Sequence, residues 1–183
     1  ILIEDEIKEE TKDVISELNK MNCKTIMLTG DNDEIAQKVA TEVGLTGYKA
    51  SLLPQNKVEE VEELLNSKKD KEVLCFVGDG INDAPVLMRS DIGIAMGAVG
   101  SDAAIEASDI VLMKDDLSEV ATAIQLSKKV IANIKINLFW AFFYNILFIP
   151  IAAGVLYAPF HITLSPMICA LAMSLSSICV VLN

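Results

Sequence analysis

The sequence predicts an α/β domain with a doubly wound, mostly parallel sheet, followed by a two-helix transmembrane hairpin. Three observations carry this. Short apolar runs alternate with helical periodicity up to about residue 113, the pattern of parallel strands joined by crossover helices. One apolar run, Val73 to Val77, leads into Gly78-Asp79-Gly80-Ile81-Asn82-Asp83-Ala84-Pro85, so carboxylates stand where a strand ends. Residues 136 to 183 contain no Asp, Glu, Lys or Arg, although the formal net charge of the chain is −11.

The elements follow in order. Ile7, Val14, Ile15, Leu18 and Met21 recur at helical spacing among charges over residues 4 to 21. Lys24 to Leu28 reads as a short strand ending at Thr29-Gly30-Asp31-Asn32, and Ile35 to Val43 as a helix closed by Gly44. Tyr48 to Leu52 is expected to be a strand. A helix then runs from Leu53-Pro54-Gln55-Asn56-Lys57 to about Leu65, and the polar run Asn66 to Lys71 is a loop. After the central motif come a helix through Arg89, a strand at Ile92 to Ala95, a glycine-bearing loop, a helix near Asp102 to Glu106 and a strand at Ile110 to Met113. The expected domain covers residues 1–133 and the hairpin 134–183, with spans at about 137–156 and 166–183. Tyr157 to Ser165, with Pro159 and His161, forms the turn between them.

An acidic domain of this kind argues against nucleic acid as a partner. Cys23, Cys75, Cys169 and Cys179 have no C-x-x-C spacing and no secretory signal before them; reduced thiols are expected at Cys23 and Cys75, and all four are expected to act as buried hydrophobes. The chain opens at Ile1-Leu2-Ile3, in what reads as the middle of structure, and is expected to be a piece of a longer protein.

The chemistry sits at strand ends. Gly78 and Gly80 let the backbone turn sharply around Asp79, and Asn82 and Asp83 follow. Hard oxygen donors there suit Mg²⁺, which usually arrives with phosphate; a plain Gly/Asp/Asn turn is the bland reading of G-D-G alone. The hydroxyl of Thr29 and the amide of Gly30 can donate to phosphate oxygens at the end of an earlier strand. By itself, Thr29-Gly30-Asp31-Asn32 could equally be a helix N-cap. Lys57, opening an acidic helix, would by itself be solvated.

Taken together, Thr29-Gly30-Asp31-Asn32, Pro54-x-x-Lys57 and Gly78-Asp79-Gly80-Ile81-Asn82-Asp83 resemble, in order and spacing, the second half of a P-type ATPase phosphorylation domain. That family belongs to the haloacid dehalogenase superfamily of phosphoryl-transfer enzymes, and the resemblance covers the whole chain. It implies a haloacid-dehalogenase-like sheet with Thr29, Gly30, Asp31, Lys57, Asn82 and Asp83 at the phosphoryl site. Thr29 and Gly30 hold phosphoryl oxygens, Lys57 neutralises developing charge, and Asp79 binds Mg²⁺ with Asn82 and Asp83 in support. ATP is the implied phosphoryl donor. The nucleophilic aspartate of the family's D-K-T-G-T does not occur in this sequence, so these 183 residues alone are expected to be inactive. The remainder of the same pump (actuator, nucleotide-binding domain and other membrane helices) is the implied partner, with a metallochaperone donor and the lipid bilayer.

Asn137 to Leu156 and Pro166 to Asn183 are long enough in residues to span a bilayer. Lys128, Lys129 and Lys135 before the first span place that side and the acidic domain in the cytoplasm. Polar residues inside spans are functional candidates. At about 100° per residue, Asn137 and Tyr144 share a face with Asn145 nearby, and Cys169, Met173, Ser176 and Ser177 share another. Simple helix packing by small residues and gap-filling by Met is the bland alternative. Tyr144-Asn145 and Met173-x-x-Ser176-Ser177 resemble the last two membrane helices of copper(I)-transporting, CPx-type heavy-metal ATPases. A thioether suits a soft monovalent ion, and the resemblance therefore implies Cu(I) as the transported metal. The zinc/cadmium branch carries a lysine and an aspartate in those helices, and neither is present here. Leu53-Pro54-Gln55 and the segment Met96 to Ala104 nevertheless look closer to that branch, which keeps Zn²⁺ or Cd²⁺ as the alternative. A haloacid-dehalogenase phosphatase with a membrane anchor, and a non-catalytic membrane module, are the other function classes. His161 is expected to be a solvated loop residue.

Overall fold

The computed structural model describes residues 7–8, 10–97, 100–155 and 166–182; the side chains of residues 166, 168, 169, 172, 176, 179, 180 and 182 are outside the described set. The expected turn at 157–165, with His161, therefore lies outside it. The chain forms two compact units, one through Ala123 and one from Ile124.

The first unit begins with α1 (Glu10–Lys20), whose Val14, Ile15 and Leu18 are buried on one stripe while Glu10 and Lys20 suit the two ends of its dipole. Strand β1 (Ile26–Leu28) follows, then α2 (Asp33–Val43). Asn32 caps α2 by accepting from the Ile35 amide at 2.9 Å, and Gly44 closes it in the left-handed conformation, φ 80°. Strand β2 (Gly47–Lys49) is shorter than expected, because Ser51 turns out of the strand at φ 55°. Helix α3 (Pro54–Ser67) starts on Pro54, and the Asn56 side chain accepts from the Leu53 amide at 3.3 Å.

Strand β3 (Cys75–Gly78) leads into a 3-10 turn (Ile81–Asp83) and α4 (Ala84–Arg89). Strand β4 (Ile92–Met96), α5 (Asp102–Glu106) and β5 (Ile110–Leu112) complete the unit. Among the described residues every strand pairing is parallel, in two ladders: β1 beside β2, and β3-β4-β5. Asp91 secures the entry to the second ladder. Its carboxylate accepts from the Leu74 amide at 2.8 Å and pairs with Lys68, and these two contacts hold it below the usual carboxylate range.

The core centres on β4, where Gly93, Ile94, Ala95 and Met96 are all buried, as a strand covered on both faces requires. Leu87 and Val86 of α4 lie over it, fully buried. Gly93 is obligatory there: a Cβ on it would stand 2.7 Å from the Leu87 carbonyl oxygen, which is backbone and cannot move aside. Gly93→Ala is expected to cost about 2 kcal/mol, read as a lower thermal unfolding midpoint. An unchanged midpoint would show that α4 does not press on β4.

The long helix α6 (Ser118–Ala152) has 35 residues, about 52 Å at 1.5 Å rise. Asp116 starts it by accepting from the Ser118 amide and hydroxyl at 2.7 and 2.6 Å. The domain boundary expected at residue 133 falls inside this helix. Its carboxyl end comes at Ala152, four residues before the expected end of the first span. Pro150 removes a helical donor, and Gly154 (φ 90°) closes the end, with the Gly154 and Val155 amides donating to Ile151 and Pro150 carbonyls. Among the described residues, α6 is the one helix long and apolar enough to cross a membrane. A 17-residue apolar helix, α7 (Pro166–Leu182), covers the second expected span.

Candidate phosphoryl and metal sites

Of the expected phosphoryl-site residues, Thr29, Gly30 and Asp31 follow β1, Asn82 and Asp83 lie in the 3-10 turn after β3, and Lys57 stands in the first turn of α3. The Thr29 hydroxyl donates to an Asp31 carboxylate oxygen at 2.7 Å and accepts from the Asp31 amide at 3.1 Å. Gly30 is exposed, and a Cβ on it would come within 3.3 Å of the Leu52 carbonyl, so the β2–α3 connection runs close beside it. The bland N-cap reading holds for Asn32 alone; it leaves Thr29 and Gly30 free of that duty.

Asp83 is the one buried charged residue among the described residues, 9% exposed. Burial of a carboxylate requires a partner, and Lys57 Nζ supplies it at 2.9 Å, from 26 residues away. The second oxygen accepts from the Gly80 amide at 3.4 Å. Gly78 makes room for this: a Cβ there would be 2.9 Å from the Asp83 Cβ. The Asp83 oxygens thus face protein groups, and Asn82 is exposed.

Asp79 is exposed at the end of β3, and its position is held through the backbone. Its carbonyl accepts from the Ser101 amide at 2.9 Å, and Ser101 in turn caps α5 by accepting from the Ala104 amide at 3.2 Å. Gly100 permits that approach, since a Cβ on it would lie 2.5 Å from the Met96 carbonyl. Asp79 borders a cavity of about 300 Å³ together with Lys8, Met96, Asp115 and Asp116. Lys8 pairs with Asp115 at 2.6 Å. The sequence reading did not single out Asp115 and Asp116, although they follow a strand, β5, as Asp79 follows β3. No three carboxylate, His or Cys groups among the described residues converge as a metal cage. An exposed single carboxylate suits Mg²⁺, which keeps several waters and takes its remaining ligands from phosphate.

In the second unit, the less exposed residues of the apolar part of α6 are Asn137, Trp140, Ala141, Tyr144, Phe148 and Ile151, one helical face. Tyr144 lies against the Trp140 ring at 5.9 Å. Asn145 is exposed and donates back to the Ala141 carbonyl at 2.9 Å, and Ser177 donates to the Met173 carbonyl at 3.2 Å. Met173 is 73% exposed. The side chains of Ser176 and Cys169 lie outside the described set.

A haloacid dehalogenase-like hydrolase profile matches residues 1–91. A probable copper-exporting P-type ATPase of Archaeoglobus fulgidus is 48% identical over 183 residues, all of this chain and 22% of that protein. Copper-transporting ATPase 2 of Rhizobium meliloti is 47% identical over the same length, again 22% of the relative. The chain thus spans under a quarter of the length of these curated relatives. The crystal structure of a zinc-transporting PIB-type ATPase in its E2·Pi state superimposes with a TM-score of 0.80 at 34% identity, covering 97% of this chain and 27% of that one.

Proposed function

Because the chain belongs to the heavy-metal P-type ATPases, its phosphorylation-domain segment carrying a haloacid-dehalogenase-like parallel sheet, we propose that it works within an ATP-driven Cu(I) export pump. The pump runs through an aspartyl-phosphate whose nucleophile is supplied by residues outside these 183. The observation that carries this reading is the Lys57–Asp83 pair, which ties two of the three motif segments together at one end of the sheet. Thr29 and Gly30 hold the phosphoryl oxygens, Lys57 neutralises charge, and Asp79, with its free carboxylate, takes the direct Mg²⁺ contact. Asp83 acts by positioning Lys57 and the Gly80 amide; Asp31 accepts the one Thr29 hydroxyl proton, and that bond is released when Thr29 donates to a phosphoryl oxygen. Mg²⁺ supplies neutralisation of the phosphoryl charge when bound. Phosphoryl transfer depends mainly on such positioning and electrostatics.

Tyr144, Asn145, Met173, Ser176 and Ser177 line the Cu(I) path, in a multi-pass membrane protein whose acidic domain is cytoplasmic. Support for Cu(I) is chemical: residues 136 to 183 hold no charge to balance a divalent ion, and Met173 offers a soft sulfur. The remainder of the pump, a metallochaperone donor and the bilayer are the partners. The zinc-transporting structural relative keeps Zn²⁺ as the second reading. Met173→Leu preserves volume and removes the thioether. In the full-length pump it is expected to cut Cu(I)-stimulated ATP hydrolysis at least about tenfold, a loss of one metal ligand, with no stimulation of either protein by Zn²⁺ or Cd²⁺. Stimulation of the wild type by Zn²⁺ but not Cu(I) overturns the copper assignment.

A further inference from the structure

The face of α6 opposite Asn137 and Tyr144 is unlike the rest of the helix, with Asn145 at its border, about 20° from Leu138. Lys135, Leu138, Phe139, Phe142, Phe143 and Ile146 line a groove of about 350 Å³. Phe142 and Ile146 lie within about 20° of Lys135 around the helix, whereas Asn137 and Tyr144 lie about 160–180° away. Every lining residue after Lys135 is apolar, and three are aromatic. Phe139 and Phe143 stack at 5.6 Å between centroids, so they form a continuous wall. Lys135 is exposed and stands at the amino-terminal end of the groove, where the charged stretch of the helix gives way to the uncharged one. Lys128 falls on the same face two turns further out, about 10 Å away.

In a membrane bundle, polar side chains face the interior and purely apolar faces meet acyl chains. A cation at the mouth of an apolar groove, at headgroup depth, complements a phosphate attached to a hydrocarbon chain. We propose that this face of α6 is a binding site for an anionic phospholipid. The headgroup phosphate sits on Lys135 and one acyl chain lies along Phe139, Phe142 and Ile146. The inference rests on the reading of α6 as membrane-spanning, and is independent of which metal is carried.

The test uses the full-length pump in nanodiscs of phosphatidylcholine containing a small share of phosphatidylglycerol with a photoreactive acyl chain. Mass mapping should place the label on residues 138–146. Unlabelled phosphatidylglycerol should compete about fivefold better than phosphatidylcholine, the preference that one basic contact supports. Lys135→Gln should abolish that preference and Lys135→Arg should keep it. Labelling without headgroup preference reduces the groove to ordinary lipid contact and overturns the site while leaving the membrane span intact. A disulfide or cross-link from Phe142→Cys to another helix of the pump, with no lipid label, shows the face to be covered by protein and also overturns it. Absence of label along residues 137–152 overturns the site, and ready modification of Phe142→Cys by a membrane-impermeant, water-soluble maleimide overturns the membrane reading itself.

Discussion

Asp79→Asn in the full-length pump should lower Mg²⁺-dependent phosphoenzyme formation from ATP by about two orders of magnitude or more, the scale for losing one electrostatic contact to a transition state. The substitution keeps size and shape and removes the anionic charge that Mg²⁺ requires. Structural damage is not expected. The carboxylate is exposed, and the loop is held through the Asp79 carbonyl to the Ser101 amide, a bond that Asn preserves. An unchanged thermal midpoint should therefore accompany the loss of phosphorylation. Near-normal phosphoenzyme, measured with radiolabelled ATP at saturating Mg²⁺, would remove Asp79 from the metal role.

Lys57→Met should damage both fold and chemistry, and the two losses can be separated. The pair is mostly shielded, with side chains 21% and 13% exposed. Removing the ammonium alone strands the Asp83 carboxylate in a site chosen for an ion pair, at a cost of about 3 kcal/mol. The double variant Lys57→Met/Asp83→Leu removes both charges and should recover stability to within about 1 kcal/mol of wild type. Thermal unfolding of the pump reads this recovery. Phosphoenzyme formation should stay lost in the double variant, because no cation remains beside the phosphoryl group. Activity restored along with stability would assign Lys57 a purely structural role.

Helix α5 was legible, and so was the glycine that closes α2, because capping and periodicity are properties of neighbours in the chain. The break in charge at Ile136 likewise announced an apolar segment without any knowledge of contacts. Helix α6 was not legible as one element. The composition changes at Lys135, and the reading stopped there, but the backbone hydrogen bonds of a helix are indifferent to whether its side chains are charged. Ser51 shortened β2 for a comparable reason, a left-handed backbone angle that no residue type demanded.

Within the candidate site, residue types and their order were enough to single out Thr29, Lys57, Asp79 and Asp83. The expected split, Asp79 on Mg²⁺ and Asp83 in support, came from the family resemblance and not from residue type. Asp79 and Asp83 are both carboxylates four residues apart in one loop, and as letters they are interchangeable. Folding separates them: the 3-10 turn after Gly80 carries Asp83 inward to Lys57, and Asp79 stays at the strand end in solvent. Short-range pattern therefore settles which groups are present at the sheet edge. Burial settles which of them are paired, because a carboxylate withdrawn from water must find a cation wherever the chain brings one.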